Sequence, residues 1–444
     1  MLFSNRDLRK LLIPLIIEQV LSSLMGIIDT LMVSNVGSAA VSGVSLVDSI
    51  NKLVIFLFSA LATGGTIVCS QYLGRKDKCN SDRAAKQVLL SALALSLVVM
   101  LPCLIFRKGL LRLIFGTVEQ SVMEASEIYF RITAFSYPFL AAFHACSAIY
   151  RAAGNSRLPM TVSVCSNIVN VAGNVLFIFV LRLGVMGAAI STTCSMALAA
   201  IVMLICVRRP RQAIEVGRLT AIRPDFSVIW LVLSIGIPTG VENAMFQFGK
   251  LIVQSTVSTL GTTAIAANAV VVVLELLTSM PSQAIGIGLM TVAGRCIGAG
   301  ETAQAKYYIK KLTVWSAVIL FILNWVVFFL TPLITRLAGM EAEAAKLTYD
   351  VMLVISIVKP FLWPLAFVPA NGLRSAGDVR FSMIVSVVSM WLCRVGLTTL
   401  LCRFLGVGLV GIWYGYFLDW AVRSVVMTIR FCGSKWTKFK VIGE

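Results

Sequence analysis

Two carboxylates stand in the apolar stretch Ile13 to Ala40, IPLIIEQVLSSLMGIIDTLMVSNVGSAA. Glu18 and Asp29 are close to three helical turns apart, so on a helix both side chains point in nearly the same direction, about 16 Å apart in depth. A carboxylate in such a run is costly in lipid, so it faces a cavity or a partner and marks a path for ions or substrate. The chemistry open to it is reversible uptake of a proton or a small cation. A second set lies further on. Asn243, Gln247, Lys250 and Gln254 follow at spacings of 4, 3 and 4, which is one helical face, with Glu242 at its border, and Asn268, Glu275, Ser279 and Ser282 share the next face. From these, Glu242, Gln247, Lys250, Gln254 and Glu275 are the candidates for the wall of a substrate cavity.

Other polar groups have plainer readings. Asp48 with Lys52, and Glu127 with Arg131, stand at i and i+4 and could neutralise each other. Ser45, Asp48, Lys52, Ser59, Thr63, Thr66 and Ser70 make a polar stripe, either the wall of an aqueous cavity or a set of interhelical hydrogen bonds. Arg394 and Asp419 fall at comparable depth if their helices are antiparallel neighbours, and Arg423 follows Asp419 by one turn. These three read as a structural charge network. The single histidine, His144, reads as a core residue, and Asn167, Asn170, Asn174, Thr192 and Thr193 read by default as packing groups between helices.

Several chemistries have no motif. No G-x-x-x-x-G-K-[ST] is present for ATP, no metal-ligand cluster, and only His144 for a histidine-based site. GVGLVG at Gly406 to Gly411 fits G-x-G-x-x-G but has no preceding strand, so it is a packing feature. The expectation is a protein that is not an enzyme and carries no cofactor or metal.

The elements that position these residues follow from composition. Of 444 residues 58% are hydrophobic and only 13% charged. Apolar runs of roughly twenty residues recur, each long enough to cross a hydrocarbon core of about 30 Å. They lack the period-2 alternation of barrel strands, so they are helices. Twelve such spans fit between residues 11 and 430.

The chain also repeats. A shift of 224 lays Ile13 and Pro14 on Ile237 and Pro238, Glu18 on Glu242, Gly37 on Gly261, Gly74 on Gly298 and Lys86 on Lys310. A shift of 223 lays Arg151, Gly154, Arg157 and Met160 on Arg374, Gly377, Arg380 and Met383. The expectation is an all-α integral membrane protein with twelve transmembrane helices in two six-helix lobes related by an internal parallel repeat. Residues 1–207 form the first lobe, the Arg- and Pro-containing 208–226 a cytoplasmic linker, 227–430 the second lobe and 431–444 a cytoplasmic tail. Pro14 and Pro238 each remove a helix hydrogen bond and permit a bend.

The net charge of +18 lies mostly on the loops that share a side with the N-terminus. By the positive-inside rule both termini are cytoplasmic and the protein is a multi-pass protein of the cell (plasma or inner) membrane. The basic excess is then a topology signal facing anionic headgroups, with no nucleic-acid partner. The eleven cysteines are scattered without C-x-x-C spacing and read as small core residues. The basic start MLFSNRDLRKLL leads into a full-length span without a cleavage site, hence a first transmembrane helix. A monomer is expected.

Together the PLIIEQ...IIDTLMVSNVG opening, GVENAMFQFGK, LGTTAIAANAV and the LRSAGDVR loop resemble the multidrug and toxic compound extrusion (MATE) family of secondary transporters, across essentially the whole chain. The resemblance implies two six-helix lobes around a central cavity, exporting organic cations or other amphipathic small molecules in exchange for protons or sodium ions. It also implies that Asp29, fifteen residues after Pro14, is the cation-coupling carboxylate, with Asn170, Asn174 and Thr192 as its partners. In relatives the position of Asn174 carries an aspartate, which leaves the choice of H⁺ or Na⁺ open. Other branches place a glutamate two turns after the seventh-helix proline. That position here is Phe246, and the acid comes one turn earlier, at Glu242. Two rivals stand beside this reading. A lipid-linked oligosaccharide flippase of the same superfamily would usually carry extra spans, and an integral-membrane transferase would need acidic metal motifs or a histidine site.

Overall fold

The computed structural model of the chain describes residues 2–116, 118–217, 223–439 and 441–442. Residues 218–222 of the expected linker and 440, 443 and 444 of the expected tail lie outside them. Every regular element among the described residues is helical. This suits a bilayer, where a helix satisfies its own backbone.

The first half runs α1 (Asn5–Ser34), α2 (Ser38–Gly74), α3 (Lys78–Ile105), a short α4 (Arg107–Phe115), α5 (Gln120–Ala134), α6 (Tyr137–Ala152), α7 (Arg157–Asn174) and α8 (Gly184–Val207). Immediately after Asn174, α7 widens into π-helical turns over Val175–Val180. The second half runs α9 (Phe226–Ser258), α10 (Thr262–Gly298), α11 (Thr302–Leu337), α12 (Ala342–Ser375), α13 (Val379–Ser389) and α14 (Leu409–Cys432). π-Helical segments Met390–Leu397 and Leu400–Phe404 prolong α13.

Among the described residues ten helices are long and apolar enough to cross a membrane, and α5 with α6, bent by 48°, makes an eleventh. The twelfth expected span falls on α14, which has 24 residues but is less apolar because it carries Asp419 and Arg423. Large apolar side chains such as Leu101, Ile322, Phe329, Phe361 and Leu392 point outward, while Lys359, Asp419 and Arg423 are fully buried. A surface this apolar is stable only against lipid.

The helices pack as two compact units: Asn5–Gly240, and Val241–Glu444 with Met1–Ser4. The division falls inside α9, beside Pro238, and both α1 and α9 continue as helices through their prolines. In the unit Asn5–Gly240, α2 packs on α3, α5 and α6, and α7 lies against α1 and α8. In the other unit, α12 packs on α10, α11 and α14. The repeat is visible in these elements. α2 and α10 are each 37 residues long and begin 224 positions apart. Each is preceded by a glycine in the positive-φ region, Gly37 at 136° and Gly261 at 92°. An L side chain rarely adopts such a backbone, so glycine allows the tight turn into both helices.

Candidate functional site

Asp29 sits half-buried near the end of α1. Asn174 Nδ2, at the end of α7, donates to Asp29 Oδ1 at 2.7 Å and is 3.3 Å from Asn170 Oδ1, one turn earlier. Asn170 Nδ2 donates to Thr192 Oγ1 of α8 at 3.3 Å. The two helices approach closely because residue 173 is glycine: a Cβ there would run into the Ser191 side chain. Ser191 Oγ instead donates to the Asn170 carbonyl oxygen at 2.7 Å, and Ser166 Oγ to the Ser195 carbonyl oxygen at 2.8 Å. The four residues of the expected coupling set are thus brought together.

Sequence reasoning misses the extension of this set. Tyr129 of α5, buried, lies beside Thr192 and donates to Asp48 Oδ1 of α2 at 3.3 Å. A continuous polar chain therefore joins two intramembrane carboxylates, Asp29 and Asp48, through Asn174, Asn170, Thr192 and Tyr129. Asn174 Oδ1 is buried beside Asp29 with no hydrogen-bond partner. That oxygen, the Asp29 carboxylate and the Thr192 hydroxyl are hard oxygen donors of the kind that receive a proton or an alkali cation. Among the described residues no three His, Cys, Asp or Glu side chains gather as a metal site.

Two expected neutralising pairs do not form. Asp48 and Lys52 make no close ion pair among the described residues; the Lys52 side chain is exposed, and Asp48 accepts from Tyr129 instead. Glu127 meets Lys108 at 3.7 Å instead of Arg131. His144 packs edge-on against Phe143, with ring centroids 5.9 Å apart.

Two residues of the expected cavity wall are ion-paired. Glu242 is buried, and Arg374 Nη2 reaches both its oxygens, at 2.6 and 2.5 Å. Its repeat partner behaves alike: Arg151 Nη2 meets the buried Glu18 at 2.6 Å. Each unit therefore holds one buried Glu–Arg pair at equivalent places. Glu275 is tied to the fully buried Lys359 at 2.9 Å, and Lys359 Nζ also donates to the Glu275 carbonyl oxygen and to Thr278 Oγ1, each at 2.7 Å. A buried carboxylate needs such a cation to offset its lost hydration. The two glutamates are thus each balanced by a neighbouring cation. Gln247 is half-buried and Lys250 and Gln254 are exposed.

Arg394, Asp419 and Arg423 do meet. Arg394 Nη2 lies 2.6 Å from Asp419 Oδ2 and Arg423 Nε 2.8 Å from Oδ1. Ser389 Oγ donates to the same carboxylate at 2.7 Å, and Arg423 Nη2 to the Ser386 carbonyl oxygen at 2.6 Å. The guanidinium groups are covered by aromatic faces, Tyr416 at 4.0 Å from Arg394 and Phe246 at 4.5 Å from Arg423. Phe246 thus stands where other branches carry an acid, and it covers cations.

The family model of MatE matches the chain twice, over residues 14–176 and 238–400. The chain belongs to the MatE family. Both matches are offset by the repeat distance, so the family signature resides in each half. As a MatE protein it is a multi-pass membrane transporter and not an enzyme. Among curated relatives, "Uncharacterized transporter YisQ" of Bacillus subtilis is 26% identical over 429 residues, covering 95% of this chain and 93% of its own. "Probable multidrug resistance protein NorM" of Thermotoga maritima is 24% identical over 448 residues, covering 99% and 94%. Among solved structures, an outward-facing multidrug resistance MATE family transporter superposes with a TM-score of 0.87 at 19% identity, over 96% of this chain and 95% of that one. This likeness speaks for the fold.

Proposed function

We propose that this MatE protein is a secondary active antiporter that exports amphipathic organic compounds, organic cations among them, in exchange for protons or sodium ions by alternating access. The observation that carries the reading is the Asp29 carboxylate within an apolar helix, held by Asn174 at 2.7 Å beside an acceptor oxygen that has no donor. An arrangement of this kind is completed by a cation. A sodium ion would bind the oxygens directly, and a proton on Asp29 would let the acid donate to Asn174 Oδ1 once the amide turns over. Either event removes the negative charge of Asp29, so ion and cationic substrate compete for one group, which is the requirement for exchange. The names of the NorM relatives support drug-like substrates. A flippase is not favoured. We place the protein in the cell membrane with both termini cytoplasmic, on the distribution of basic residues.

The test is Asp29→Asn in proteoliposomes with proton and sodium gradients imposed independently. Gradient-driven efflux is expected to disappear while the variant folds and inserts normally. Wild-type efflux with unchanged ion dependence would refute the role of Asp29.

A further inference from the structure

A cleft of about 540 Å³ opens where the first turns of α1 meet the start of α7. Four cations line it: Arg6, Arg9 and Lys10 from α1 and Arg157 from α7. None of the four side chains has an ion-pair partner among the described residues. Asp7 lies on the same turn of α1 but does not line the cleft. The buried cations Lys359, Arg394 and Arg423, by contrast, are neutralised internally. Four like charges gathered on one cleft repel one another unless a counter-charge is supplied.

The other wall of the cleft is apolar. Ile13 and Ile17 line it and are exposed at 51% and 40%, at the point where the hydrophobic run of α1 begins. The cleft thus spans the boundary between the charged and the apolar parts of the helix. An inorganic phosphate would satisfy the cations and leave the apolar wall bare. A phospholipid satisfies both, with its phosphate among the guanidinium forks and its acyl chains along Ile13 and Ile17.

We propose that this cleft is a binding site for an anionic phospholipid, with the headgroup held by Arg6, Arg9, Lys10 and Arg157. With the N-terminus on the cytoplasmic side, the lipid belongs to the inner-facing leaflet, where basic clusters meet acidic headgroups. Each cation contributes about fivefold in affinity.

The experiment is lipid titration of the purified full-length protein followed by native mass spectrometry, with phosphatidylglycerol and phosphatidylcholine as probes. Wild type is expected to retain phosphatidylglycerol in preference to phosphatidylcholine. The R6Q/R9Q/K10Q/R157Q variant is expected to lose that preference with an affinity drop of about 600-fold. A charge-preserving R6K/R9K/K10R/R157K variant should keep it. Soluble glycerol phosphate is the second arm and should not displace the lipid at equal concentration. If it does, the cleft is a site for free phosphate and the lipid proposal is wrong. Undiminished phosphatidylglycerol binding in the fourfold Gln variant would also overturn it. Should that variant fail to fold, R6Q/K10Q and R9Q/R157Q carry the same test, each expected to weaken binding about 25-fold.

Discussion

Asn174 has two jobs at one carboxylate, since its nitrogen restrains Asp29 and its oxygen waits for a donor. A hydrogen bond to a charged group contributes about 1.5–3 kcal/mol, so Asn174→Leu should reduce ion-driven efflux at least about tenfold. Initial rates in proteoliposomes, compared with the amount of inserted protein, check this. The buried Glu–Arg pairs obey a different rule. Removing one partner strands the other, at about 3–5 kcal/mol, whereas replacing both with apolar side chains costs far less. Arg374→Met is therefore expected to lower the unfolding temperature in detergent much more than the double variant Glu242→Leu/Arg374→Met does. Additive losses would show that the pair is not a unit. Asp29 stands out in the sequence because an acid in an apolar run has few explanations. Tyr129 cannot, since a tyrosine on a half-apolar helix looks like any core aromatic. Nor can the partners of Glu18 and Glu242 be read directly. The repeat aligns the two acids with each other and the two arginines with each other, but each pair is separated by more than a hundred residues of chain.

The helices hold these side chains in register through small residues and end caps. Gly173→Val would thrust a branched side chain into Ser191 and part α7 from α8, at a cost of about 1–3 kcal/mol in packing. The same separation would break the Asn170–Thr192 contact, so transport should fall more than stability does. Thermal unfolding and efflux measured on one preparation test this, and equal losses would argue against it. Outside the membrane, Asp77 starts α3. Its carboxylate accepts from the Asn80 backbone N–H at 3.0 Å and from Asn80 Nδ2 at 2.6 Å, which holds its pKa below the ordinary 3.8. A group with a depressed folded pKa adds stability above its unfolded value and loses it as the pH falls through the folded one. Asp77→Ala should thus lower the unfolding temperature at neutral pH, with the difference from wild type shrinking as the pH falls below 3.8. A difference that persists in acid would mean the cap acts through something other than its charge. The helices themselves are legible from hydrophobicity. The π-helical turns after Asn174 are not, because VLFIFV reads as an ordinary apolar run.

At the scale of the whole chain, the sequence is informative because lipid imposes one demand on every span. Length and apolarity find the helices, and duplication finds the two halves, since α2 and α10 match residue for residue in their bounds. Where the demand is relaxed by burial the signal weakens. α14 hides Asp419 and Arg423 inside the fold and is the least lipid-like of the long helices. Orientation is a separate matter, carried by the arginines and lysines of the loops. The loop between α2 and α3 offers a direct probe, because Cys79 is exposed there, one residue inside α3. If the N-terminal side is cytoplasmic, a variant retaining Cys79 alone should resist a membrane-impermeant maleimide on intact cells and react with it in inverted vesicles. The opposite pattern would reverse the membrane orientation. It would also move the basic cleft of Arg6, Arg9, Lys10 and Arg157 to the outer leaflet, because those residues and Cys79 lie at the same end of α1, α2, α3 and α7 if each helix crosses once.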